Sequence, residues 1–83
     1  MSTYLFRVQI IFWSARGKLC KRKLADTPIM PTEDELSKYI ENALRKFKMV
    51  QKSEYRIIIA KYTIEGGITI EANLLTNIIY QNT

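Results

Sequence analysis

Tyr4, Phe6, Val8, Ile10 and Phe12 take every second position near the start of the chain, alternating with Leu5, Arg7, Gln9, Ile11 and Trp13. Successive side chains of a strand point to opposite faces, so this period of two predicts a β-strand with one wholly apolar face. Ser14-Ala15-Arg16-Gly17 supplies a turn, and Lys18 to Ala25 is expected to return as a second, strongly basic strand. Asp26, Thr27, Pro28 and Pro31 read as a connection, because proline fixes φ and lacks the amide that helices and central strands need.

The period changes after Pro31. Thr32-Glu33-Asp34-Glu35 has the form of a capping box, in which the threonine oxygen accepts from the third helical amide while Glu35 reaches back to the cap amide. Leu36, Tyr39, Ile40, Ala43, Leu44 and Phe47 then recur at spacings of three and four, the stripe of an amphipathic helix running to about Lys48. Leu36, Ile40, Leu44 and Phe47 are expected to face the sheet, and the acidic first turn and basic last turns suit the helix dipole. Tyr55 to Ile64 predicts a third strand, Glu65-Gly66-Gly67 a turn, and Ile68 the start of a fourth strand. The last segment carries two periods. Ile70, Ala72, Leu74, Thr76, Ile78 and Tyr80 form a strand-like file, whereas Leu74, Leu75, Ile78 and Ile79 fit one side of a short helix. The strand is preferred, with a break near Asn73 or Asn77. The sum is an α+β fold, β-β-α-β-β, with a mainly antiparallel sheet, one amphipathic helix packed on one face, and a single domain over residues 1–83.

One helix covers one face of such a sheet. The other face is expected to carry Leu5, Ile11, Trp13, Tyr55, Ile57, Ile59, Leu75 and Ile79, more apolar surface than a water-facing sheet normally bears. Either the terminal segment folds back across it or a partner covers Ile11, Trp13, Tyr55, Ile57 and Ile59, and a second copy in a homodimer is the commonest such partner.

With 83 residues, 47% hydrophobic and 25% charged, the composition is that of a folded chain with room for one core. No apolar run approaches the ~18 residues of a membrane-spanning helix, so no membrane partner is expected. Residues 1–25 are basic enough to suggest a targeting segment, but their period is two and the cations follow the apolar run, which argues for mature structure. A lone cysteine, Cys20, cannot form an internal disulfide, and a cytoplasmic location is the default expectation.

The net charge of +5 is unevenly placed. Arg7, Arg16, Lys18, Lys21, Arg22 and Lys23 give the first 25 residues six positive charges and no negative one, while the remainder sums to −1. Such asymmetry points to a polyanion. Arg7, Arg16, Lys18, Lys21, Arg22 and Lys23 are thus candidate phosphate contacts. The competing explanation is a solvated edge strand protected from aggregation by its lysines. Trp13 and Tyr55, which share files with charged and polar residues, are candidates for stacking on bases, or else for an interface.

Catalytic chemistry has little to work with. The chain has no histidine, which removes the usual general base, the Ser-His and Cys-His pairs and most zinc sites. Glu33, Asp34 and Glu35 are explained by capping and the dipole, and Glu65-Gly66-Gly67 lacks the spacing of a phosphate loop. Cys20 lies among cations that could lower its pKa, but it reads more simply as a small hydrophobe in a strand. The expectation is a small basic, non-catalytic protein without cofactor or metal, associated with nucleic acid through its N-terminal hairpin. The alternative is a protein–protein interaction module, an inhibitor or assembly subunit, working through the sheet face or an edge.

Overall fold

A computed structural model describes residues 3–47 and 53–81. Its elements are β1 (Thr3–Trp13), β2 (Leu19–Thr27), α1 (Glu33–Lys46), β3 (Glu54–Glu65) and β4 (Ile68–Gln81). The fold is α+β. All neighbouring strands are antiparallel, and the four form one sheet in the order β2-β1-β3-β4.

Both hairpins end in glycines where the backbone requires them. Gly17 has a φ of +79° and donates its amide to the Ser14 carbonyl, while Ser14 donates to Lys18, closing the β1–β2 turn. Gly66 and Gly67, at +60° and +79°, fill both central positions of the β3–β4 turn. Two successive positive φ values match the right-handed twist of the strands they join, and only glycine adopts them freely. β2 continues through Thr27, past the expected end at Ala25, because Asp26 and Thr27 still pair with Arg7 and Phe6.

The helix begins as its capping box dictates. Glu35 donates its amide to Thr32 Oγ1 at 3.2 Å, and the Thr32 amide donates to Glu35 Oε1 at 3.4 Å. Its expected end at Lys48 lies outside the described residues. Along its inner side Ala43 is buried, with Leu36, Tyr39, Ile40 and Phe47 partly buried around it. Leu44 was expected among these and is instead 39% exposed. The reason is angular: each helical step turns about 100°, so a stripe centred on Leu36, Ile40, Ala43 and Phe47 carries Leu44 round to its flank.

The core is built from Val8, Ile10 and Phe12 on β1 and Tyr55, Ile57 and Ile59 on β3, closed by Ala43. Phe12 stacks on Phe47 with ring centres 5.2 Å apart, and Tyr55 on Tyr80 at 5.4 Å. This corrects the expected second face, which included Tyr55, Ile57 and Ile59. The β1–β3 register sets Phe12 opposite Tyr55, Ile10 opposite Ile57 and Val8 opposite Ile59, and directly opposed residues share a face. All three are therefore core residues beneath the helix. Burial also raises the Tyr55 phenol above its ordinary pKa, with Tyr80 adding to the effect.

The terminal segment is one strand, as preferred, and a bulge takes the place of the expected break. Ile59 pairs with Thr76 and Ala60 with Leu74, leaving Leu75 as the extra residue between Asn73 and Asn77. The insertion switches the even-numbered file from one face to the other. Thr76, Ile78 and Tyr80 lie on the helix side, whereas Leu74 and Ala72 lie on the open side. A second irregularity near Ile70 and one at Leu24 in β2 act likewise, and Leu24 turns in to pack against the core. Among the described residues no helix is long and apolar enough to cross a membrane.

Candidate nucleic-acid interface

The registers write out the open face row by row. Leu19 lies beside Trp13; Lys21, Ile11, Arg56 and Ile79 form the next row; Lys23, Gln9, Ile58 and Asn77 the one after. Beyond them come Asp26, Arg7, Ala60 and Leu74, then Leu5, Tyr62 and Ala72. Strands lie ~4.8 Å apart and same-face rows ~7 Å apart, so the face is a grid about 14 Å from one outer strand to the other. Its β2 side is cationic and its β4 side apolar.

Trp13, at 46% exposure, stands at one end of this grid and borders a shallow hollow of about 340 Å³ with Ile11, Leu19, Glu54 and Arg56. Ile11 has Lys21 on one side and Arg56 on the other, so two cations flank the row next to the tryptophan. Among the described residues neither forms an ion pair. Farther along, Arg7 donates to Asp26 through Nε at 2.8 Å and Nη2 at 3.2 Å, and Lys23 Nζ donates to the same carboxylate at 3.2 Å. Arg7 also lies 5.1 Å from the centre of the Tyr62 ring. Arg7 is thus committed to the sheet, Lys23 is shared, and among the described residues Lys21 and Arg56 are the cations of this face outside any ion pair.

The Arg7 hydrogen bonds hold the Asp26 carboxyl below its ordinary value, partly opposed by desolvation and aided by Lys23. A depressed folded pKa means stabilisation that is present above the unfolded value, near 3.8, and lost as pH falls through the folded one. Thermal melts of wild type and Asp26→Asn should therefore differ most near neutral pH and converge as the medium is acidified below that range. A difference that persisted or grew in acid would show that Asp26 is not stabilised as its carboxylate.

The remaining basic candidates point elsewhere. Arg16 and Lys18 sit exposed in the β1–β2 turn, and Arg22, opposite Ile10, lies on the helix side. There Arg16, Arg22 and Lys46 line an open hollow of about 280 Å³ together with Phe12, Cys20 and Phe47. Cations therefore occur on both faces of β2 and at its turn. Lys21, Lys23 and Arg7 share the open face with Trp13 and Ile11, but Tyr55 does not, being stacked in the core. Arg56 was missed from sequence because it lies outside the basic first third. Its signal was available only in register, as the residue opposite Ile11. Cys20 is free and partly buried against the core. Among the described residues no group of three or more His, Cys, Asp or Glu could hold a metal ion. The chain matches no protein-family model, and neither a curated protein nor a solved structure matches it.

Proposed function

We propose that the chain is a non-catalytic binding protein whose open sheet face takes a single strand of nucleic acid. The observation that carries this reading is the placement of Lys21 and Arg56 on either side of Ile11, next to the exposed Trp13, on the face opposite α1. Proteins that bind single strands combine a cationic track for the backbone with aromatic side chains on which bases stack. Lys23, one row on, extends the track. An open sheet face suits splayed bases better than a duplex, whose major groove admits a helix or a two-stranded ribbon.

Trp13 is the only tryptophan, so its fluorescence reports directly on the face. Titration with a single-stranded oligonucleotide should quench it, and affinity should fall with salt by about 0.7 log units per phosphate contact per log unit of salt. Lys21→Ala/Arg56→Ala should flatten that slope by roughly one to one and a half units whatever the base sequence, because phosphate contacts carry no base information. Absence of binding at about 50 mM salt, or a full slope in the double variant, rejects the reading. The apolar β4 side of the face, with Ile58, Leu74 and Ile79, favours a protein partner as the replacement.

A further inference from the structure

The two edges of the sheet are built differently. β2 carries Lys21, Arg22, Lys23 and Asp26 within nine residues, the charge density by which natural edge strands refuse another strand. β4 has 14 residues and a single charged one, Glu71. Two bulges disturb its first part, but from Thr76 to Gln81 its ladder with β3 is regular. That stretch, Thr-Asn-Ile-Ile-Tyr-Gln, has no charge, proline or glycine, and every second amide and carbonyl along it points away from β3. Thr76 and Tyr80 are partly buried, but apolar side chains reach solvent on both faces: Ile78 is 41% accessible on the helix side, which α1 leaves uncovered there, and Ile79 is 52% accessible on the open side.

We propose that the Thr76–Gln81 edge pairs antiparallel with the same edge of a second copy, making a closed homodimer with a continuous eight-stranded sheet. The occupant follows from self-complementarity. A two-fold axis normal to the sheet keeps directly opposed residues on one face, so the axis falls on a residue and not between two. With the axis at Ile78, the two Ile78 side chains meet on the helix side, Thr76 faces Tyr80 of the second copy, and Asn77 faces its Ile79. Glu71 lies seven residues from that axis and meets no copy of itself. An edge rich in lysine could not pair this way, because like charges would stand opposite one another. Assembly stops at two because the only other edge, β2, is charged. The two open faces then lie side by side on one surface. This proposal does not depend on the nucleic-acid reading and is tested without nucleic acid.

Light scattering on a size-exclusion column should give wild type a mass of twice 9.7 kDa at high micromolar concentration. Ile78→Lys places a charge on the helix side of the edge and should yield a monomer with unchanged circular dichroism. Trp13→Lys, on the open face two strands away, should stay dimeric. In wild type, amide exchange over Thr76–Gln81 should slow as concentration rises, a reading that stands even if Ile78→Lys fails to fold. A monomeric wild type, a dimer that survives Ile78→Lys but not Trp13→Lys, growth beyond two copies, or exchange independent of concentration would each overturn the proposal.

Discussion

Phe12→Ala should destabilise the fold by about 3–5 kcal/mol, the largest loss expected from any single truncation. Phe12 is 3% exposed, belongs to the buried core cluster, and is the ring on which Phe47 stacks at the end of the helix. Its removal forfeits the transfer energy of a buried aromatic, leaves a cavity that Ile10 and Tyr55 cannot collapse into, and breaks a ring pair worth ~0.5–1.5 kcal/mol. Leu44→Ala is the comparison, because the same helix carries it on the flank. With 39% of its surface already in water, Leu44 should cost about 1 kcal/mol or less. Urea denaturation of the two variants separates these values easily. Equal losses would mean that the helix is rotated about its axis from the packing described here.

Ile57→Lys should abolish the fold altogether, whereas Trp13→Lys should leave it intact. Ile57 has no accessible surface and sits opposite Ile10 with Ile59 and Val8 beside it. Among the described residues no charged side chain is buried in that core to pair with an ammonium. An unpaired buried charge costs several kcal/mol, and a chain of 83 residues has roughly 4–12 kcal/mol in total at ~0.05–0.15 per residue. Loss of the cooperative melt in Ile57→Lys, with a normal melt in Trp13→Lys, is the expected pair of results. A folded Ile57→Lys would return Ile57 to the outer face.

The face assignments mark where the sequence was readable and where it was not. Alternation along β1 named its buried residues Val8, Ile10 and Phe12, although Tyr4 at the start of the same file is 51% exposed, and the helix start followed from the hydrogen-bonding capacity of Thr32 and Glu35. β3 offers no such alternation: Ile57, Ile58, Ile59 and Ala60 are apolar on both faces, and only pairing with β1 decides which of them is inside. In β4 a single inserted residue, Leu75, reverses the parity of the file, which a period count cannot see. On the helix, hydrophobicity ranked Leu44 with the inner residues, yet it is small Ala43 that is buried against the core. The cationic side of the candidate site was legible as a charge excess in the first 25 residues. Its geometry was not, because Arg56 enters through a strand pairing that spans more than 40 residues of chain, and Arg22 leaves through the alternation of β2.

That long-range pairing also governs the order in which the sheet can assemble. The β1–β2 and β3–β4 hairpins each close through a tight turn, while Phe12 and Tyr55, the nearest partners between β1 and β3, are 43 residues apart. Closing a flexible loop of that length costs about 2 kcal/mol more in chain entropy than closing a four-residue turn. The helix eases this by holding 14 of the intervening residues as a rod with its own cap. Two local ribbons are thus cheap to form, and the central seam, where all the fully buried isoleucines and Val8 lie, brings its hydrophobic reward only after that loop has closed.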